Sequence, residues 1–285
     1  MYKCHNCSAN QAFCTFLKNF DEGLYKEYLF EKYQGDTGFK PSRNDSFKIK
    51  MVEPVFIKKN VLSTVAVQLH TLADSHPAVL YTRQRQIPQA TFPYIWFIPN
   101  TRDILSIAPE KYLSKDKATT LGTEPRLLFP LYNTVGSLTG VAMRAIKEST
   151  LRYINLKFVE DEPLIFGLER VDLLKPVVIV EGAIDSLFLD NAIAVNGVGF
   201  NKLEDLKIPD VTFVFDNQPR NREVVREVSR YVVLGFKVCI WPSNIHEKDV
   251  NEMIVSGINV SRVIAENTYQ GLTAQMQVAK WRKIQ

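Results

Sequence analysis

Three short apolar runs, each followed by an acid, constrain this chain more than any other feature. Val177-Val178-Ile179-Val180 stops on Glu181-Gly182, and Val211-Thr212-Phe213-Val214-Phe215 stops on Asp216. Phe236-Lys237-Val238-Cys239-Ile240-Trp241 is followed by Lys248-Asp249-Val250-Asn251-Glu252. Nearly all-apolar runs of this length are strands covered on both faces, as parallel sheets require. Helical sequence separates them. The pattern predicts a doubly wound, mainly parallel α/β sheet with strands at 177–180, 192–195, 211–215 and 236–241, and helices at 183–190, 219–234 and 248–256. In such a sheet the residues just past the carboxyl ends of the strands line one edge, where ligands bind. Glu181, Asp216 and Asp249, spaced 35 and 33 residues apart, are therefore expected to meet at one point. Crowded carboxylates repel unless a cation lies among them, so the expectation is a hard divalent-metal site of the Mg²⁺ type. Asp185, four residues after Glu181, either supports that site or faces a helix N-terminus. Asn196-Gly197-Val198-Gly199 forms a glycine turn after the second strand, too short a signal to define a phosphate cradle.

At 285 residues the chain can form one large or two modest domains. A net charge of +4 hints only mildly at a polyanionic partner, but the basic residues are unevenly spread. Lys40, Arg43, Lys48, Lys50, Lys58 and Lys59 cluster early, and Arg262, Lys280, Arg282 and Lys283 cluster late. Each patch taken alone reads as a solvated flank. No stretch has membrane-spanning length and the N-terminus lacks the regions of a signal peptide, so an intracellular protein without membrane contact is expected. Cys239 lies in a strand-like run and reads as a buried thiol. Cys4-His5-Asn6-Cys7 is a C-x-x-C knuckle with the spacing of zinc ligands, yet a structural zinc ion needs four ligands and only half a site is visible.

The rest of the chain falls into segments. Residues 1–34 hold the knuckle and two short helices, and 35–58 are turn-forming and polar, a linker. Residues 59–173 are mixed α+β, with a helix expected before His76-Pro77 and a hairpin formed by 126–132 and 137–144 across the turn at Asn133–Gly136. His76 itself reads as a cap or a core polar contact. Arg126 and Arg144 flank the hairpin, with Arg152 and Lys157 following. Ordinary surface charge explains such arginines by itself, but their place just before the acidic module suits a polyphosphate and a nucleic-acid backbone. The acidic module spans 174–257, and 258–285 is expected to be one amphipathic helix over about 260–280.

Glu181-Gly182-x-x-Asp185, Asp216-x-Gln218 and Lys248-Asp249-x-Asn251-Glu252 together resemble the Toprim domain of DnaG-type primases, topoisomerases and some nucleases. Arg126 through Tyr132, Thr139 through Arg144, Arg152 through Asn155 and Ile165 through Arg170 resemble the basic subdomain that precedes Toprim in primases. Asp74-Ser75-His76-Pro77, Tyr94 through Phe97, Ser106 through Pro109 and Leu24 through Glu31 extend the likeness, nearly end to end, to the DNA primases of T-even-type bacteriophages. The resemblance implies RNA primer synthesis from ribonucleoside triphosphates on a single-stranded DNA template, with Mg²⁺ or Mn²⁺ as cofactor. It also implies a replicative hexameric helicase and a single-strand-binding protein as partners, in the cytoplasm of an infected bacterium. It assigns metal binding to Glu181, Asp216 and Asp249, with Asn251 and Gln218 as auxiliary ligands and Glu181 alternatively a general base through water. Arg126, Arg144, Arg152, Lys157 and Lys248 would hold nucleotide or template, Lys248 having a salt bridge as its alternative. Two departures stand out. Family members carry a C-x-x-C upstream of the knuckle, so Cys4 and Cys7 form a ribbon remnant whose Zn²⁺ site is incomplete. Gln218 stands where an acid is usual, which removes one negative charge from the site. A Toprim-type nuclease, or a non-catalytic DNA-binding or helicase-associated subunit, are the competing readings.

Overall fold

The structure, a computed structural model, describes residues 2–3, 10–11, 61–112, 121–196 and 208–283. Cys4, Cys7, the helices expected within 12–34, the linker 35–58 and Gly197–Gly199 lie outside the described residues. The chain divides into two units, 1–56 and 57–285. In the first, β1 (Tyr2–Lys3) pairs antiparallel with β2 (Asn10–Gln11).

The second unit carries two five-stranded sheets. One is wholly antiparallel, in the order β3 (Val67–Gln68), β4 (Trp96–Ile98), β5 (Arg126–Tyr132), β6 (Leu138–Ala145), β7 (Tyr153–Lys157). The β5–β6 hairpin closes where Asn133 Oδ1 accepts the backbone N–H groups of Val135 and Ser137, and Gly136 takes a left-handed φ of 75°. Both faces are covered. Leu127, Phe129 and Leu131 of β5 join the main core, whereas Leu128 packs on the opposite face with Trp96, Met143 and Leu156.

Helix α1 (Pro77–Gln84) begins at the His76-Pro77 pair. This corrects the expectation of a helix upstream of it, where the chain makes 3₁₀ turns at Val61–Thr64 and Leu69–Thr71 instead. The reason is local. His76 Nδ1 accepts the N–H of Ala78 at 3.1 Å, and Pro77 occupies the first helical position, where a missing N–H costs nothing.

The other sheet runs in the order β12 (Thr268–Tyr269), β11 (Lys237–Cys239), β10 (Val211–Val214), β8 (Val177–Val180), β9 (Ala192–Ala194). All pairs are parallel except the β11–β12 edge. The connecting helices are α2 (Ala183–Ser186), α3 (Arg222–Val233) and α4 (Val250–Val255), followed by α5 (Val260–Glu266) and α6 (Gly271–Trp281). Helix α3 buries Val225, Val228, Tyr231 and Val232 at helical spacing, and its N-cap Asn221 accepts from Glu223 and Val224. The single terminal helix expected over about 260–280 is therefore wrong. Two helices flank β12, because the outer edge of β11 has backbone groups to satisfy and 268–269 pair with it. Phe129 packs edge-on against Phe166, and Phe166 bridges to Ala194 of β9, so one apolar core is continuous across both sheets. Among the described residues no helix is long and apolar enough to cross a membrane.

Candidate functional site

The parallel sheet reverses direction at β8: the chain passes from β8 to β9 on one side, and from β10 to β11 on the other. Open α/β sheets place a crevice at such a reversal, beyond the carboxyl ends of the two strands. Glu181 is the residue immediately after β8 and Asp216 the second residue after β10, two strands that pair directly up to Val180 and Val214. The backbone N–H of Asp216 donates to Glu181 Oε1 at 3.3 Å. Gly182 is required by a close approach, since a Cβ there would run into Asp185 Oδ2. Asp185 Oδ1 in turn accepts the N–H of Asn251 at 2.9 Å. Asp249 caps α4, accepting the N–H of Glu252 at 2.8 Å, while Glu252 accepts the N–H of Lys248 at 2.9 Å.

Negative charge accumulates here with little to offset it. Burial and the carboxylate of Asp216 push Glu181 above the ordinary carboxylate range. Burial and Asp249 push Asp185 up to about 8. Asp216 is raised by burial against the opposing pull of Lys248. Lys248 Nζ lies 3.2 Å from Asp216 Oδ2, and although burial pulls it down, Asp216, Asp249 and Glu181 hold it above its usual value. Among the described residues no three His, Cys, Asp or Glu side chains are gathered closely enough to hold one ion. The expected meeting at a single point is thus only partly realised: the acids line one edge, with Asp249 turned to its helix and an ammonium on Asp216. The donor set still fits a hard cation, because it is all oxygen and its carboxylates repel for want of positive charge.

Other expected ligands sit differently. Asn251 is buried and its amide is engaged: Oδ1 accepts from Arg85 Nη1 at 2.5 Å and Nδ2 donates to the Arg85 carbonyl at 2.8 Å. This corrects its assignment as an auxiliary metal ligand, since its oxygen already serves a guanidinium. Gln218 Oε1 accepts from Asn221 Nδ2 at 3.2 Å, at the start of α3.

The arginines separate as well. Arg126 pairs with Ala145 across the ladder and Arg144 with Leu127, so the two point to opposite faces of the sheet. The Arg126 side chain is wholly buried, ion-paired to Glu124 and donating to the Arg152 carbonyl at 3.4 Å. Its assignment to nucleotide or template is therefore corrected: it has no route to a phosphate. Arg144 faces the other way, donating from Nε to Tyr81 Oη at 2.9 Å and lying 4.4 Å over the ring of Tyr153. Together with Tyr81, Arg85, Lys147 and Arg152 it lines a cleft of about 720 Å³. Lys157 is four residues along β7 from Tyr153 and outside that cleft.

Two residues of this region carried no functional reading in the sequence. Asn217 donates to the carbonyls of Ile245 and Glu247 at 3.0 and 3.1 Å, and its N–H to that of Lys248 at 2.6 Å. Its Oδ1 accepts from Trp281 Nε1 at 3.0 Å, so helix α6 braces the loop bearing Asp216 against the loop bearing Asp249. Arg85, already seen on Asn251, is the second. An amide beside an acid is a faint signal for the first, and nothing local marks the other.

No protein-family model matches the chain. It is 32% identical over 289 residues to the DNA primase of Enterobacteria phage T4, covering 99% of this chain and 81% of that relative. Its fold is similar to that of a DnaG primase catalytic domain bound to single-stranded DNA, with a TM-score of 0.53, 15% identity, and coverage of 73% of this chain and 77% of the other. The zinc-binding and RNA polymerase domains of the Aquifex aeolicus primase match with a TM-score of 0.52 at 15% identity, covering 98% of this chain and 75% of theirs.

Proposed function

The chain belongs to the family of phage DNA primases, and from that membership we propose that Glu181, Asp216 and Asp249 form its nucleotidyl-transfer centre, facing a phosphate-binding cleft lined by Arg144 and Arg152. The observation that carries this assignment is the placement of Glu181 and Asp216 past two adjacent parallel strands at the sheet's reversal, with three carboxyls raised by burial and mutual repulsion. These carboxylates would hold Mg²⁺ or Mn²⁺, which when bound would supply charge to neutralise a triphosphate and lower the pKa of a primer 3′-hydroxyl. The residues of the chain do the rest. Glu181 stands within reach of the Asp216 backbone and serves as a ligand or as a proton acceptor through water. Lys248 neutralises Asp216 and exchanges that contact for a phosphate oxygen when substrate enters. Arg144 and Arg152 bind phosphate at the cleft, with Tyr81 and Tyr153 orienting the Arg144 guanidinium.

Residues 59–173 are proposed as the basic subdomain and 174–257 as the Toprim domain, a division supported by the antiparallel strands ending at Lys157 and the parallel ones starting at Val177. Single-stranded DNA and ribonucleoside triphosphates are the proposed substrates, and a hexameric helicase and a single-strand-binding protein the proposed partners in the host cytoplasm. Cys4 and Cys7 have the spacing of two of the four ligands that a structural Zn²⁺ needs.

The test is incubation of the purified protein with single-stranded DNA, ribonucleotides and Mg²⁺. Short RNA products that disappear with Glu181→Gln support the assignment. Shortened DNA points to a nuclease, and DNA binding without either product to an accessory subunit.

A further inference from the structure

The two charged regions are joined by one side chain. Arg85 lines the basic cleft, with its guanidinium 5.0 Å above the ring of Tyr81, which also accepts from Arg144. The same guanidinium donates to Asn251 Oδ1, and the Arg85 carbonyl accepts from Asn251 Nδ2. That carbonyl is free because α1 ends here: Arg85 is the C-cap and Gln86 takes a φ of 56°. Asn251 lies two residues beyond Asp249, and its own N–H holds Asp185. A continuous path of short hydrogen bonds therefore runs from the cleft, through Arg85 and Asn251, to Asp185. Moreover, among the described residues the only buried side-chain polar atoms lacking a partner are the Nε groups of Arg85 and Arg126. Arg85 thus keeps an unused donor beside a cleft where Arg144, Lys147 and Arg152 outnumber the single carboxylate of Glu148, an arrangement that an anion sharing the cleft would relieve.

We infer that Arg85 is a positioning residue that couples the basic cleft to the carboxylate edge, its grip on Asn251 fixing Asp185 and the start of α4 so that cation binding depends on it. The inference rests on the carboxylates being the metal site proposed above. It goes further by making the metal affinity depend on a residue of the antiparallel subdomain that touches no carboxylate. Coupling of this kind is reciprocal: an anion that orders Arg85 favours the cation, and the cation favours the anion.

Arg85→Met keeps the packing over Tyr81 and removes the donors. Asn251→Ala removes the receiver. Mn²⁺ binding to the full chain, free of nucleotide and DNA, is followed by the loss of its magnetic resonance signal, alongside the melting temperature. Expected is a roughly tenfold weaker Mn²⁺ affinity in each single variant and no further loss in the double variant, because both break one link. In primer synthesis each variant lowers kcat at saturating nucleotide more than it raises KM, with partial recovery as Mn²⁺ is increased. Arg85→Lys, which restores charge and one donor, regains part of the affinity. A melting shift with unchanged Mn²⁺ affinity, or losses that add in the double variant, overturns the coupling. Wild-type protein that binds Mn²⁺ and makes no primer ends the nucleotidyl-transfer assignment and leaves the coupling standing. Wild-type protein that binds no Mn²⁺ ends both.

Discussion

The two sheets of the second unit place their charged residues by opposite rules. In the parallel sheet the acids stand just beyond strand ends, at Glu181 after β8 and Asp216 after β10. In the antiparallel sheet the arginines stand inside strands, at Arg126 in β5 and Arg144 in β6. A residue past a strand end has its location set by the strand's direction, and parallel strands share one direction. A residue within a strand has its location set by the pleat and the pairing register, which decide which face it takes. Hence the acids reach one edge together, while two arginines of similar appearance part, one into the core and one toward the cleft.

The largest expected effect breaks the acidic side of this comparison. Glu181→Gln or Asp216→Asn lowers primer synthesis by about a hundredfold or more. The same changes leave the metal-free melting temperature level or raised, because each removes a charge that burial disfavours. A variant that unfolds would show that the carboxylate serves the fold rather than the chemistry.

Arg126→Met tests the buried arginine. It deletes a wholly enclosed charge and leaves Glu124 without its partner, so stability in urea falls by about 3 kcal/mol while the activity of the folded fraction persists. Loss of activity with full stability would return Arg126 to the substrate.

The pH dependence sharpens the contrast next. Asp185 has a folded value of about 8 against an ordinary 3.8, so the fold favours its protonated form. Its contribution to stability is complete below about 3.8 and is lost as pH climbs through about 8. The melting temperature of the metal-free protein therefore declines as pH rises from about 3.8 to about 8, the interval set by that shift. Mg²⁺ restores much of it at the alkaline end, and Asp185→Asn flattens the decline. A metal-free protein whose melting temperature rises over that interval would remove the claim of crowded charge.

The smallest effect concerns Arg152, an exposed residue at the mouth of the cleft. Arg152→Ala weakens single-stranded DNA or nucleotide binding severalfold, lowers the salt dependence by about one counterion, and leaves the melting temperature unchanged. Unaltered binding at low salt would exclude the cleft from phosphate recognition.

How much was legible follows the same division. The apolar runs announce β8, β10 and β11, and because strand direction alone places their ends, Glu181 and Asp216 could be paired across 35 residues without any structure. The start of α1 was misread because Pro77 marks a helix beginning as well as a break, and only the His76 contact to Ala78 settles which. The terminal segment was misread because its helical spacing outweighed the two residues, Thr268 and Tyr269, that the edge of β11 recruits. Asn251 was assigned as a ligand through the resemblance carried by Lys248-Asp249-x-Asn251-Glu252, but its partner is Arg85, 166 residues away. No local pattern encodes a contact of that range.

The amino-acid order by itself determined the parallel sheet and the edge along which the acids stand, since these follow from hydrophobic runs and chain direction. Only the tertiary structure decided which cations are usable. The face taken by Arg126 or Arg144, and the reach of Arg85 to Asn251, depend on register and on the end of a helix meeting a distant loop. Such contacts arise when separate elements pack, and they leave no trace in the spacing of residues along the chain.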